Sequence, residues 1–413
     1  MRLARSLFAV SSRCYSKELP LSNVRVLDLS RVLAGPYCTQ TLGDLGAEVI
    51  KVENKKTNGD DTRAWGPPFH EDTKQSAYFL SCNRNKKSIT VDIKTEKGQK
   101  IIQELAQQSH VFIENFKVDD MKRFNLDFET LSKINSKIVY CSITGYGQDG
   151  PNSHLPGYDF VAQALSGLMS ITGDKDTPPY KVGVALIDVL TGMYASVGIL
   201  ASLRRDDAQH IDVSLFDTSL SLLVNQAQNY LVSGKSPTRM GNSHPNISPY
   251  DLLHAKDGPL VVTIGNDKQF AEFADAIGDP SMAADIKFQQ NKSRVANREE
   301  LIKRVEDLLI VSDRSHWIEK FQSRNIPCGP VNTVEQALNE PQVKARNMLW
   351  NLSRGTPNDI PSVGNPLKFK YNPITAESSS PPPLLGEHTD QVLKNVLGYS
   401  QEQINDLRLE NVI

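Results

Sequence analysis

The chain has no run of about 20 apolar residues, the length a helix needs to cross a bilayer, so a soluble protein with no membrane partner is expected. It has almost no net charge. Its 46 basic and 48 acidic residues leave a formal −2, so no strongly basic surface points to a nucleic-acid partner. Cysteines are few. Cys14, Cys38, Cys82, Cys141 and Cys328 are odd in number, far apart and without a C-x-x-C pair, which argues against both a zinc site and a disulfide framework. A reducing compartment fits that usage. No metal-ligand cluster and no internal repeat are present.

What remains is an ordinary globular balance, 39% hydrophobic and 23% charged over 413 residues, long enough for more than one domain. The first residues stand apart. Arg2, Arg5, Arg13 and Lys17 precede the first acid, Glu18, and Ser6, Ser11, Ser12 and Ser16 lie among them. Leu3, Leu7, Phe8 and Val10 can share one helical face. This is the composition of a mitochondrial transit peptide, with cleavage expected between Tyr15 and Ser16 and residues 1–15 removed.

After Pro20 the pattern is α/β. Val24–Leu29, Glu48–Val52, Ser88–Asp92, Val111–Ile113 and Ile138–Ile143 read as strands. Pro36–Leu45 and Glu96–Gln107 read as helices between them. Strands alternating with helices imply a mostly parallel, Rossmann-like sheet. Gly145-Tyr146-Gly147-Gln148-Asp149-Gly150 fits G-x-G-x-x-G, but the loop composition of Pro151–Gly157 follows where a dinucleotide site needs a helix to open. From Tyr250 the texture changes. A hairpin turned at Asp257-Gly258 and helices near Gln269–Ile277 and Arg298–Leu309 suggest a small α+β domain. The expected division is 20–225 for the first part of a large domain, 245–325 for the small one, and 330–413 for the return to the large domain and its tail.

One carboxylate stands out. Asp188 lies in an otherwise apolar run, Gly183–Ala195, just before helically spaced Leu190, Met193, Tyr194, Val197, Leu200 and Leu203. That places it at or near the N-terminus of a buried helix, where free N–H groups and the helix dipole favour negative charge. Such a carboxylate can serve as a nucleophile. It can equally be a plain N-cap, the ordinary use of Asp at that position.

Several spaced motifs bear on that choice. They are Arg31–Pro36, Leu42–Glu53, Gly59-Asp60-Asp61-Thr62-Arg63, Asn83–Ile89, Glu114-Asn115-Phe116, Ile143–Gly147 and Pro383–Thr389. In this order they resemble the family III CoA-transferases, the CaiB/BaiF group, over about Leu21 to Ile413. The resemblance implies a large Rossmann-like domain built from both ends of the chain, a small domain between, and an interlocked homodimer. It puts the family's nucleophilic aspartate at Asp188. Its contacts to coenzyme A fall on Val32, Leu33 and Ala34, on Asn83, Asn85 and Lys86, on Asn115, Phe116 and Arg123, and on Thr144, Gly145 and Tyr146.

The activity implied is transfer of CoA from succinyl-CoA to a dicarboxylic acid such as glutarate, in the mitochondrial matrix. It runs through an aspartyl anhydride and an aspartyl-CoA thioester. CoA thioesters are substrates, and no metal or permanently bound cofactor is implied. Met240–Asn246 stands in the place of the family's mobile glycine-bearing loop. Only Gly241 is present where formyl-CoA transferase has a run of glycines. Arg31, Arg63 and His244 are candidates to hold a second carboxylate. Two alternatives stay open. A 2-methylacyl-CoA racemase shares the fold, but its subfamily's Gly-His-Asp segment here reads Gly157-Tyr158-Asp159, and a tyrosine with its usual pKa of about 10 is a poor base near neutrality. The other alternative is a catalytically silent CoA-binding protein.

Overall fold

The alternation of short apolar strands with helices builds a six-stranded sheet. The structure is a computed structural model and describes residues 18–413, so the expected transit peptide lies outside the described residues. The strands are β1 (Arg25–Asp28), β2 (Glu48–Glu53), β3 (Lys86–Thr90), β4 (Val111–Glu114), β5 (Val139–Thr144) and β6 (Gln209–Ser214). All neighbours pair parallel, in the order β3-β2-β1-β4-β5-β6. Sequence order therefore reverses direction between β1 and β4.

Period-two alternation sends adjacent residues to opposite faces of the sheet. Leu27, Ile50, Phe112 and Tyr140 join one core with Ile101, Ile102 and Leu105 of the Glu96–Gln107 helix and with Val392, Leu393 and Ile404 near the C-terminus. Their neighbours Val26, Val49, Val111 and Val139 join the other, with Cys38 and Leu42 of the Ala34–Asp44 helix and Ala195 and Ile199 of the Leu186–Ser202 helix. Both faces of the sheet are covered, as parallel sheets require.

The described chain forms two compact units. One holds the residues up to Ala162 together with Ala185–Thr218 and Lys344–Ile413, and thus the whole parallel sheet. The other holds Gln163–Val184 and Ser219–Val343. In it β7 (Tyr250–Ala255), β8 (Gly258–Thr263) and β9 (Cys328–Pro330) form an antiparallel sheet. Phe270, Phe273, Leu301, Val305, Trp317 and Phe321 pack as its core.

The Gly145–Gly150 segment opens no helix. β5 ends at Thr144, turns follow, and the next helix begins at Asp159. The Leu186–Ser202 helix differs from the buried helix expected. Its buried face carries Ile187, Thr191, Gly192, Ala195, Ser196 and Ile199, while Met193, Tyr194, Val197 and Leu200 are exposed. The reason is close packing. A Cβ on Gly192 would sit 2.5 Å from the carbonyl oxygen of Ala34, so only small side chains fit between this helix and the Ala34–Asp44 helix.

Candidate active site

Asp188 stands in the first turn of the Leu186–Ser202 helix, but it is not the cap. The N-cap is Ala185, which has no side-chain acceptor. Asp159 satisfies the orphan amides instead. Its Oδ1 accepts from the N–H of Ile187 at 2.7 Å and of Asp188 at 3.3 Å. The carboxyl group of Asp188 is left facing a cavity. Burial, and then the negative charge of Asp159, push its pKa up to about 7. Among the described residues Asp188 has no ion-pair partner that would pull the value down.

The cavity has a volume of about 250 Å³. Its walls come from loops at the carboxyl ends of three strands: Val32, Leu33 and Ala34 after β1, Asn115 and Phe116 after β4, and Thr144 and Gly145 from β5. Lys117, Leu155, Gly157 and Tyr158 also line it. Two close approaches bring these pieces together. Gly192 lies one turn beyond Asp188 on the same helix face, and its contact with Ala34 brings Asp188 up to the Val32–Ala34 wall. A Cβ on Gly145 would fall 2.6 Å from the Cα of Gly157, so those two loops meet only because both residues lack a side chain.

A second cavity, about 390 Å³, shares Arg31, Phe116 and Asp120 with the first. It lies at the carboxyl ends of β1, β2 and β4, over the point where the strand order reverses, which is where open parallel sheets bind ligands. Three cations line it, Arg31, Lys94 and Arg123, with Phe116 and Phe124 as aromatic surfaces. This suits a group with both phosphate charge and a planar ring.

Of the residues singled out in the sequence, Asp188, Arg31, Val32, Leu33, Ala34, Asn115, Phe116, Thr144 and Gly145 line the first cavity, and Arg123 lines the second. Asn83, Asn85 and Lys86 line neither and serve internal contacts. Lys86 is fully buried, its ammonium donating to Asp28, to the carbonyl of Pro36 and to Asn83 Oδ1. Asn83 donates to the carbonyl of Phe79 at 2.9 Å, and Asn85 donates to Asp44 at 2.8 Å. Tyr146 lines neither cavity, and its ring lies 6.1 Å from that of Phe216. Arg63 is committed to Glu53 by two bonds, at 2.8 and 2.7 Å, and stacks on Phe79.

Gly241 and His244 belong to the other unit. Gly241 has φ +60 and donates its N–H to the carbonyl of Gly173. The ring of His244 lies 5.2 Å from that of Tyr250, and burial and Arg298 lower its pKa, so it is neutral at pH 7.

Sequence reasoning missed Asp159 as the helix cap, and Lys94 as a cation of the second cavity. It also passed over Lys51, a lysine inside an apolar strand. That anomaly was a readable signal, because a lysine is almost never fully buried unless paired.

No helix among the described residues is long and apolar enough to cross a membrane, and no group of three or more His, Cys, Asp or Glu among them is arranged to hold a metal ion.

Comparison with known proteins gives this geometry a context. The sequence model of the family described as CoA-transferase family III matches residues 21–389. The chain is 42% identical over 386 residues to a succinate–glutarate CoA-transferase of Agrobacterium fabrum, covering 92% of this chain and 96% of that protein. It is 43% identical over 398 residues to the succinyl-CoA:glutarate CoA-transferase of Homo sapiens, covering 95% and 90%. Its fold is similar to the crystal structure of a CaiB/BaiF family protein from Brucella suis, with a TM-score of 0.80 at 41% identity over 92% of this chain and 100% of that one.

Proposed function

The chain belongs to CoA-transferase family III, and on that premise we propose that it moves CoA from succinyl-CoA to a dicarboxylic acid, glutarate. The observation that carries the reading is Asp188: a carboxylate without an ion-pair partner among the described residues, in the wall of a cavity, with its pKa raised to about 7. A carboxylate short of compensating charge is a better nucleophile than a solvated one.

The reaction is a relay on that one side chain. Asp188 attacks the thioester carbonyl of succinyl-CoA. The carbon–sulfur bond breaks, CoA leaves as thiolate, and an aspartyl–succinyl anhydride remains. The thiolate attacks the aspartyl carbonyl, which releases succinate and leaves an aspartyl-CoA thioester. Glutarate then attacks that thioester to give an aspartyl–glutaryl anhydride and thiolate. The thiolate takes the glutaryl group as glutaryl-CoA, and Asp188 is free again. Every step exchanges one activated acyl group for another, so the protein's task is to position the partners and keep water out.

The two joined cavities suit an extended substrate. The nucleotide end of CoA lies against Arg123, Lys94, Phe116 and Phe124, and the thioester reaches Asp188 past Val32, Leu33 and Ala34. Arg31 lines both cavities; its guanidinium is held by an exposed contact to Asp61 at 3.0 Å and lies 5.7 Å from the centre of the Phe116 ring, so it can turn toward the distal carboxylate of a diacid. The arginine- and serine-rich first residues support a mitochondrial matrix location. The exposed apolar side of the Leu186–Ser202 helix supports a homodimer.

The test is an acyl-exchange assay with succinyl-CoA and glutarate, wild type against Asp188→Ala, with glutaryl-CoA resolved by chromatography. Wild type is expected to form glutaryl-CoA, and the variant to lose at least about 10³-fold in rate. A variant that keeps its rate excludes Asp188 as the nucleophile. A folded wild type that exchanges no acyl group with any dicarboxylate excludes the proposed activity.

A further inference from the structure

One sequence motif has no role in the chemistry above: Gly59-Asp60-Asp61-Thr62-Arg63. Its Asp60 is 2% exposed and lines the second cavity next to the Val32–Ala34 wall of the first. The wall starts with an unusual backbone. Val32 has φ +69, in the left-handed region. A β-branched residue is strained there, and such strain persists only where surrounding groups over-determine it.

The surrounding groups are present. Asp60 Oδ1 accepts from the N–H of Val32 at 3.2 Å, and also from the N–H and hydroxyl of Thr62 at 3.0 and 2.7 Å. Asp60 Oδ2 accepts from the ammonium of Lys51 at 2.9 Å. The same ammonium donates to the carbonyl of Ser30 at 2.9 Å. Lys51 is fully buried and stands in register with Asp28 of β1. Asn115 closes the far side. Its Oδ1 accepts from the N–H of Arg31 at 2.9 Å and its Nδ2 donates to the carbonyl of Arg31 at 2.7 Å. The backbone of residues 30–32 is thus pinned from two directions by buried or cavity-lining side chains. The kink at Val32 then turns the chain into the Ala34–Asp44 helix and presents Leu33 and Ala34 to the cavity that holds Asp188.

Burial raises the pKa of Asp60, but Lys51 and Thr62 more than offset it, and the carboxyl falls to about 2. It stays ionised across the working range, so this latch is permanent rather than pH-gated.

We propose that Asp60, neutralised by Lys51, is a positioning residue that holds Val32 in its left-handed conformation, so that the Val32–Ala34 wall is already set for the CoA thioester before substrate arrives. The inference rests on reading this cavity as the CoA site. Asp60 touches no reacting atom. It acts through the Val32 amide.

The test uses glycine, which adopts positive φ without strain. If Asp60 serves to hold a strained valine, it matters much less once that residue is glycine. Four full-length proteins are compared: wild type, Asp60→Ala, Val32→Gly and the double variant. For each, kcat/KM for succinyl-CoA is measured, and the Kd for CoA by calorimetry. Asp60→Ala is expected to lower kcat/KM roughly tenfold or more in the wild-type background, and by less than about threefold in the Val32→Gly background. CoA affinity should follow the same pattern.

Equal losses in the two backgrounds would overturn the proposal, because a merely structural Asp60 destabilises both alike. No loss in either would overturn it too. Should Asp60→Ala fail to fold, Asp60→Asn keeps the volume and removes the charge that engages Lys51, and it is read on the same two axes. The calorimetric arm separates this inference from the activity. If wild type binds CoA but transfers nothing to a dicarboxylate, the activity proposal fails while the Kd values still decide the role of Asp60.

Discussion

At the scale of single residues, two aspartates divide the labour at the start of one helix. Asp159 supplies the cap, which leaves the carboxyl group of Asp188 free of that task and facing the cavity. The arrangement has a pH signature. A nucleophilic carboxylate must be ionised, and the pKa of Asp188 is pushed up to about 7 by burial and by Asp159. The value of kcat/KM reports the free enzyme, so for succinyl-CoA it should fall as pH drops below about 7. Asp159→Asn keeps an oxygen for the two amides but removes the charge, so the falling limb should move to lower pH. A limb in the ordinary carboxylate range, or one that Asp159→Asn leaves in place, would contradict this. Folding runs the other way. The folded pKa lies above the ordinary value of 3.8, so the stability this group contributes is full below 3.8 and lost as pH rises through about 7. Glu114, buried and also raised to about 7, acts in the same sense.

At the scale of elements, the sequence was legible wherever a period was strong. The Glu96–Gln107 and Arg298–Leu309 helices have the expected bounds, since an amphipathic stripe leaves little choice of register. β6 went unread because it is an edge strand. In Gln209–Ser214 the polar residues Gln209, His210 and Asp212 interrupt the apolar ones, and one side remains exposed. The Leu186–Ser202 helix was located, but its faces were exchanged. Apolar size pointed to Met193, Val197 and Leu200 as the buried stripe, whereas close approach to Ala34 admits only the small residues opposite. The site was legible by halves for a related reason. Loop residues after β1, β4 and β5 were named from the family resemblance, and the parallel strands bring them to one cavity. Asn83 and Lys86, polar like many ligand contacts, are instead spent on internal hydrogen bonds that only the fold reveals.

At the scale of the molecule, those exchanged faces matter. Val197 is 60% exposed, with Met193 and Leu200 beside it on the same helix. Full burial of a wholly exposed side chain of this kind is worth about 1.5–3 kcal/mol, and covering the exposed part of these three gains a share of that each, so a second copy of the chain has reason to cover them. Sedimentation velocity should show a dimer at micromolar concentration, and Val197→Asp should shift it toward monomer. A wild-type monomer would rule out the proposed assembly.

The central claim is that Asp188 carries the CoA group covalently, and mass spectrometry reaches it directly. Wild type incubated with succinyl-CoA and quenched in acid should gain the mass of one CoA less one water, on a peptide containing Asp188. Asp188→Asn should gain nothing. An adduct on another residue, or turnover by wild type with no adduct under any quench, would contradict the account.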